Sequence, residues 1–183
     1  LVSLGPGQEG WRSGEAAQRL RDAEDIIGFK AYFNLIEDIP LSGDIHTFEI
    51  GAESDRVQKA FALAATGRRV ALICSGDAGI YAMAALAFEI LEETPHASWR
   101  RILIDVAPGI SAMQAAAARI GAPLGHDFCT ISLSDLLTPW PIIERRIKAA
   151  AKGDFVVAFY NPVSKRRVTQ LPAARDILLS HRP

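Results

Sequence analysis

The sequence predicts an α/β fold made of two α/β domains with mostly parallel sheets. Strand-like and helix-like segments alternate along all 183 residues, which is typical of chains that pack helices against a sheet. Short runs such as residues 70–74 are apolar throughout, as expected of strands buried on both faces of a parallel sheet. Turn sequences rich in Gly and Pro close these runs, for example Gly5-Pro6-Gly7.

The first half of the chain contains several predicted elements. Apolar runs predict strands over residues 1–4, 70–74 and 102–106. Helices are expected where apolar residues recur every three or four positions, namely after Ser13, from Val57 to a C-terminal cap at Gly67, and from Ile80 to about Glu92.

The second half of the chain predicts fewer strands. An Ala-rich helix over residues 111–120 stops at Gly121, and strands follow over residues 128–133 and 155–160. Two more helices are predicted, one that starts at Pro141 and buries Ile143, Ile147, Ala150 and Ala151, and one that contains Leu171, Ala174 and Leu178.

The alternating pattern of strands and helices is interrupted near residues 107–110, and this interruption predicts the domain organisation. It divides the chain into an N-terminal domain, residues 1–108, and a C-terminal domain, residues 109–183. Because a sheet of two strands is marginally stable alone, we expect the second domain to be incomplete at its C-terminal end. The first residue is Leu rather than Met, and we expect residues upstream of it.

Composition excludes several classes of protein. The 20 Lys and Arg residues are balanced by 21 Asp and Glu, so the chain lacks the basic excess of a general nucleic-acid binder. Apolar stretches stop well short of the roughly 18 residues that a membrane span needs, and no signal peptide is visible. Cys74 and Cys129 have no metal-ligand spacing; we interpret both as buried thiols of a cytoplasmic protein, and no metal site is expected.

Four loops follow predicted strands, where open α/β sheets bind their ligands. Gly5-Pro6-Gly7 is either a ligand loop or a plain turn. Asp77, between two glycines, either caps the following helix or accepts hydrogen bonds from a ligand's ribose hydroxyl or ammonium group. Ser111 is a candidate helix cap, and Tyr160 with Asn161 either contacts a ligand or shapes a turn.

Charged residues near the last strand suggest an acidic ligand. Lys165, Arg166 and Arg167 form a dense basic run, which is either a solvated helix start or a site for a carboxylated or phosphorylated molecule. A helix N-terminus disfavours positive charge, and this supports the second interpretation. His126, beside Asp127, is either a proton carrier or a structural residue.

Together these loops resemble those of the tetrapyrrole methylase family, which uses S-adenosylmethionine. The likeness covers nearly all of the chain and is most specific over residues 75–83, 121–140 and 158–167. Residues 121–140, which include Ser-Asp-Leu-Leu-Thr-Pro-Trp, resemble the members that methylate C-17 of a precorrin, with ring contraction, in cobalamin biosynthesis. The resemblance implies two α/β domains with the methyl donor held in the cleft between them.

The resemblance also implies roles for individual residues. The positions that match donor contacts, for S-adenosylmethionine or its product S-adenosylhomocysteine, are Pro6, Ser75, Gly76, Asp77, Ile80, Ser111, Ala112, Tyr160 and Asn161. The carboxylate arms of a precorrin or cobalt-precorrin macrocycle are suitable partners for Lys165, Arg166 and Arg167. Ring contraction calls for a general base, for which His126, Asp127 and Tyr160 are candidates, and none is preferred.

Other interpretations remain open from the sequence. One is another tetrapyrrole methylase of the same family, acting at a different ring position or on ribosomal RNA or a translation factor. Another is a non-catalytic fragment of a fused cobalamin-biosynthesis protein, which the short second domain favours. Apolar Ala- and Leu-rich helices favour a homodimer, which family members often form.

Overall fold

A computed structural model describes residues 1–181 of the chain. It divides the chain into two compact units, Leu1–Ala115 and Ala116–Pro183. Every paired strand in both units runs parallel to its neighbour, which confirms the predicted α/β class. The domain limits 1–108 and 109–183 stay a prediction.

Short parallel strands alternate with helices from one end of the described chain to the other. The strands are β1 (Val2–Ser3), β2 (Asp25–Phe29), β3 (Asp44–Phe48), β4 (Val70–Cys74), β5 (Phe128–Ser132) and β6 (Val156–Tyr160). The helices are α1 (Gly14–Asp22), α2 (Glu53–Ala64), α3 (Met83–Glu93), α4 (Ala112–Arg119), α5 (Trp140–Lys152) and α6 (Gln170–Leu179). Short 3-10 turns occur at Glu9–Trp11, Lys30–Leu35, Trp99–Arg101 and Pro123–Gly125.

The first unit is built on a four-stranded sheet with the order β3-β2-β4-β1. Successive residues of a strand point to opposite faces, so Ile26 packs with Leu20 of α1 on one face. Ile27 packs with Val57 and Phe61 of α2 on the other. Burial on both faces explains why β4 is an unbroken apolar run, as predicted.

The second unit pairs β5 with β6 in parallel. Helix α5 buries Ile143 and Ile147 against Ile131 of β5 and Ala174 of α6. The predicted apolar face of α5, which also includes Ala150 and Ala151, is confirmed because all four side chains are buried.

Two strands of the first sheet, β2 and β3, were not predicted from the sequence. Gly28 interrupts the apolar run of β2. This position is occupied by glycine because a Cβ there would lie 2.4 Å from Cγ1 of Ile73. Strand β3 is polar because it lies at the edge of the sheet, where it pairs with β2 alone among residues 1–181. Neither strand therefore shows the continuous apolar pattern of β4.

The predicted strand over residues 102–106 is wrong. This segment meets β1 through one isolated bridge, Val2 to Ala107, and Leu103 is 87% exposed. Strand β1 is only two residues long, so it offers too short an edge for a full strand to pair.

Two predicted helix starts also differ from the structure. Helix α3 begins at Met83 rather than Ile80, because Tyr81 has a left-handed φ of 50° and Ala82 is extended. Helix α5 begins at Trp140, one residue before Pro141. Pro141 still lies in the first turn, where a missing N–H costs no hydrogen bond.

The two cysteines differ in burial. Cys74 is buried, as predicted, whereas Cys129 is only half-buried. Desolvation raises the pKa of the Cys74 thiol to about 11, so it stays protonated at neutral pH. None of the helices in residues 1–181 is long and apolar enough to cross a membrane.

Candidate functional site

Three segments of the first unit meet at the carboxyl edge of its sheet. They are residues 5–7 after β1, residues 75–80 after β4, and residues 107–112, which lead into the first residue of α4. Gly5 and Gly76 exchange two backbone hydrogen bonds, of 3.1 and 2.7 Å. The structure thus brings together seven of the predicted donor contacts: Pro6, Ser75, Gly76, Asp77, Ile80, Ser111 and Ala112.

Glycines allow these segments to approach so closely. A Cβ on Gly5, whose φ is +74°, would lie 2.6 Å from the carbonyl oxygen of Trp11. A Cβ on Gly109 would lie 2.6 Å from both the carbonyl oxygen of Gly76 and the Cβ of Ser3. Any larger residue would push the loops apart.

Asp77 links two of the three segments through its carboxylate. Oδ1 accepts a hydrogen bond of 2.8 Å from the N–H of Gly79, and Oδ2 accepts one of 3.0 Å from the N–H of Gly109. The alternative that Asp77 caps the next helix is wrong, because α3 starts after Ala82 without a side-chain cap. A carboxylate has about four acceptor positions, so Asp77 retains capacity for ligand donors.

Ser3 is a site residue that the sequence analysis missed. Its side chain is buried, and its Oγ accepts a 2.9 Å hydrogen bond from the N–H of Ala78. The available signal was a lone hydroxyl within the apolar run at residues 1–4, since a buried polar group requires a partner. Ser3 therefore holds the loop after β4 onto β1.

Ser111 caps α4, which confirms its prediction as a helix cap. Its Oγ accepts a 3.2 Å hydrogen bond from the N–H of Gln114, and the Gln114 side chain accepts one of 2.9 Å from the N–H of Ser111. This reciprocal pair is a capping box. It places the exposed Ala112 at the start of α4, with its backbone N 3.7 Å from where a Cβ on Gly76 would be.

Tyr160 and Asn161 lie at the carboxyl edge of the second sheet. Tyr160 is in register with Ser132 at the end of β5. Asn161 has a left-handed φ of 50° and donates a 3.1 Å hydrogen bond from Nδ2 to the Oγ of Ser132. The turn-shaping interpretation of Asn161 is therefore supported, and its ligand role stays a prediction.

The predicted basic run separates into one buried and two exposed residues. Lys165 and Arg166 are exposed, whereas Arg167 is 7% exposed. The interpretation as a helix start is wrong, because α6 begins only at Gln170. The run lies instead in the loop that follows β6.

Arg167 joins the two loops at the carboxyl edge of the second sheet. Its guanidinium donates hydrogen bonds of 3.0 Å to the carbonyl oxygen of Asn161 and 2.9 Å to the Oγ of Ser134. Its Nε lies 3.5 Å from Oδ1 of Asp135. Both terminal nitrogens of the Arg167 guanidinium therefore have partners within the protein, whereas its buried Nε makes no hydrogen bond within residues 1–181. Lys165 and Arg166 are the exposed cations of this loop.

Asp135 is held in its charged form by the same network. A hydrogen bond from its own backbone, followed by a hydrogen bond from Gln170 and the nearby guanidinium of Arg167, lowers the pKa of the Asp135 carboxyl below its usual range. Asp135 thus keeps its negative charge beside Arg167 at neutral pH.

The three candidate bases lie at opposite ends of the second sheet. His126 and Asp127 precede β5, whereas Tyr160 ends β6. At roughly 3.3 Å per residue, a five-residue strand separates its two ends by about 13 Å. Only Tyr160 is therefore close to the basic loop. Among residues 1–181, no three His, Cys, Asp or Glu side chains cluster as metal ligands.

The parallel sheets of both units and the glycine-lined loops at the carboxyl edge of the first sheet define an α/β protein with a candidate ligand site at that edge. Residues 1–183 match the model for the Tetrapyrrole (Corrin/Porphyrin) Methylases. The chain belongs to the tetrapyrrole methylase family.

Particular members of this family are similar to the chain. It is 45% identical over 180 residues to the probable cobalt-factor III C(17)-methyltransferase of Salmonella typhimurium, covering 97% of this chain and 72% of that protein. It is 41% identical over 187 residues to the precorrin-3B C(17)-methyltransferase of a Sinorhizobium species, covering 100% of this chain and 71% of that protein. The crystal structure of the methyltransferase CobJ superimposes with a TM-score of 0.92 at 45% identity, covering 100% of this chain and 75% of CobJ.

The chain is shorter than these relatives. A cobalt-factor III methyltransferase of Priestia megaterium is 44% identical over 182 residues, which is 100% of this chain and 34% of that protein. The chain thus spans about a third of the Priestia megaterium relative and about seven-tenths of the other two curated relatives.

Proposed function

We propose that the protein is an S-adenosylmethionine-dependent methyltransferase that methylates C-17 of a precorrin or cobalt-precorrin macrocycle, with ring contraction, in cobalamin biosynthesis. The observation that carries this proposal is the 41–45% identity, over almost the whole chain, to relatives named for methyl transfer to cobalt-factor III or at C-17 of precorrin-3B. Both the metal-free and the cobalt-bearing macrocycle fit the proposal.

We place the methyl donor against the carboxyl edge of the first sheet. Gly76 is half-buried there, and a Cβ at its position would meet no atom closer than 3.7 Å. The carboxylate of Asp77 has remaining acceptor positions for ribose hydroxyls or the donor's ammonium group. The half-buried Pro6 and Ile80 offer apolar contact. Ser75, Ser111 and Ala112 complete the donor contacts proposed for this unit.

Further donor contacts are proposed in the second unit, at Tyr160 and Asn161. Both lie at the carboxyl edge of its sheet, which is where α/β sheets bind ligands. They take this role from their match to the family's donor-binding positions.

We propose that the macrocycle's carboxylate arms bind Lys165 and Arg166. Both side chains are exposed in the loop after β6, and charge-assisted hydrogen bonds to carboxylates are strong. Arg167 has internal partners, so it acts as a positioning residue that holds this loop.

The proposed reaction needs no nucleophile from the protein. The ring carbon supplies the electron pair for the new C–C bond, the S–CH₃ bond breaks with its electrons going to sulfur, and the sulfonium becomes a neutral thioether. The protein's tasks are to align the methyl group with C-17 and to exclude water. Ring contraction removes a proton from a substrate hydroxyl, and Tyr160 is the candidate base at the carboxyl edge.

A methyl-transfer assay tests this function. The protein is incubated with S-adenosylmethionine and either precorrin-3B or cobalt-factor III, and the product is analysed by mass spectrometry. We expect the macrocycle to gain one methyl group and the donor to become S-adenosylhomocysteine. No gain of mass with either macrocycle would contradict the proposal.

Calorimetry with S-adenosylhomocysteine separates the proposal from its alternatives. A protein that binds this product but methylates neither macrocycle is a family member with another substrate. Absence of binding would favour the alternative that the chain is a non-catalytic part of a longer cobalamin-biosynthesis protein. The length of the Priestia megaterium relative is the observation that favours this second candidate.

We also propose that the protein is a cytoplasmic homodimer. The dimer rests on the apolar Ala- and Leu-rich helices such as α3, on which Phe88 is exposed. The cytoplasmic location rests on the buried Cys74 thiol, which suits a reducing compartment. Sedimentation of wild type and Phe88→Ser tests the dimer; a monomeric wild type would contradict it. Cell fractionation tests the location.

A further inference from the structure

The loop between β5 and α5, residues 133–139, exposes two adjacent leucines. Leu136 is 79% exposed and Leu137 is 97% exposed, although neighbouring Leu133 is completely buried. Single exposed leucines are ordinary, but an adjoining pair beside other exposed apolar groups is typical of a binding surface. Val163 and Val168, in the loop after β6, are also exposed.

The base of this leucine loop is fixed by hydrogen bonds. The N–H of Leu133 donates to the carbonyl oxygen of Tyr160 at 2.9 Å, and the N–H of Ser134 donates to the Oγ of Ser132 at 3.2 Å. Nε2 of Gln170 donates to Asp135 at 2.8 Å. The two leucines therefore follow directly on an anchored base, residues 133–135.

Apolar and cationic groups share one edge of the second unit. Strands β5 and β6 end in register at Ser132 and Tyr160, so the loops that follow them leave the sheet together. Arg167 ties these loops to each other through Asn161 and Ser134. The leucine pair and the exposed cations Lys165 and Arg166 thus belong to one connected surface.

We propose that Leu136 and Leu137 are specificity-determining residues that contact the flat apolar face of the tetrapyrrole macrocycle. This inference rests on the proposed function. A macrocycle with carboxylate arms is apolar across its face and anionic at its rim. The surface matches both properties, because Lys165 and Arg166 complement the carboxylates while the leucines desolvate the ring.

The test compares two variants by titration with cobalt-factor III, followed by the absorbance of the macrocycle. Leu136→Ser/Leu137→Ser is expected to raise the Kd for cobalt-factor III at least tenfold, while the Kd for S-adenosylhomocysteine stays within twofold of wild type. Leu103→Ser is the control, since the exposed fraction of Leu103, 87%, lies between those of Leu136 and Leu137 but Leu103 belongs to the first unit. We expect its two dissociation constants to equal those of wild type.

Three outcomes would overturn this inference. The double variant binds cobalt-factor III as well as wild type does; it loses thermal stability and affinity for S-adenosylhomocysteine together; or it converts a dimer into a monomer during sedimentation. The second result would assign the leucines to internal packing, and the third would assign them to a second copy. A wild type that methylates neither macrocycle contradicts the proposed function instead, which separates the two failures.

Discussion

The N–H of Gly109 donates a 3.0 Å hydrogen bond to the carboxylate of Asp77, 32 positions earlier in the chain. This bond ties the loop after β4 to the segment before α4. Asp77 is therefore a structural residue as well as a candidate ligand contact, and a test of either role must separate the two.

Asp77 variants provide that separation. Asp77→Ala removes both backbone contacts, and we expect it to lower the free energy of unfolding by about 1–2 kcal/mol and to weaken S-adenosylhomocysteine binding. Asp77→Asn keeps one carbonyl acceptor, so it should be more stable than Asp77→Ala. Urea denaturation and calorimetry measure the two quantities. An Asp77→Ala variant that is as stable as wild type would contradict the structural role.

Substitution of Gly109 is expected to disturb the same loops sterically. A methyl group there would lie 2.6 Å from the carbonyl oxygen of Gly76, so Gly109→Ala should cost about 1–3 kcal/mol of stability and reduce affinity for S-adenosylhomocysteine. Gly10→Ala is the control, because a Cβ at Gly10 meets nothing within 4 Å. Thermal denaturation of both variants checks this; equal melting temperatures would refute the steric argument.

Acid is expected to destabilise the first unit through Asp25. Burial raises the pKa of this carboxyl, but hydrogen bonds from Arg68 and His46 outweigh it and hold the pKa below the usual 3.8. A lowered folded-state pKa contributes stability above about pH 4, which is lost as the pH falls further. Unfolding measured from pH 7 to pH 2 should show this loss.

The matched variants for this acid transition are Asp25→Asn and Asp44→Asn. Asp25 is 1% exposed, and its replacement should leave the variant's stability closer to that of wild type at pH 2 than at pH 7. Asp44 contacts the same Arg68 at 3.2 Å but is exposed, so Asp44→Asn should keep the acid sensitivity. The reverse pattern would show that Asp25 is not the responsible group.

Substitutions of Arg167 and Arg166 are predicted to change different quantities, namely the stability of the fold and the KM for the macrocycle. Arg167→Ala leaves Asn161 and Ser134 without a donor, and should cost about 1–3 kcal/mol, with Arg167→Lys partly restoring it. Arg166→Ala should change stability by no more than about 0.5 kcal/mol while raising KM for the macrocycle. Chemical denaturation and steady-state kinetics distinguish them. If Arg167→Ala has the same free energy of unfolding as wild type, the hydrogen bonds from Arg167 to Asn161 and Ser134 do not stabilise the fold.

Sequence patterns predicted the strands and helices in which buried apolar positions recur at the regular spacing of that element. Strand β4 was predicted correctly because it is buried on both faces, and α5 because Ile143, Ile147, Ala150 and Ala151 fall on one helical face. Strand β2 was missed because Gly28 makes room for Ile73 of another strand. Residues 102–106 were predicted wrongly because a strand also depends on the length of its partner's edge.

In the candidate site too, the sequence determined some features of the loops and the tertiary structure decided the others. Gly, Asp and Ser in turns after apolar strands determined where a ligand site should lie, since these residues control local backbone geometry. Only the tertiary structure decided that Asp77 binds Gly109, that Ser3 holds Ala78 and that Arg167 faces inward while Arg166 does not. Such pairings depend on which distant segments meet and on which donors burial forces to find a partner. Local sequence carries neither.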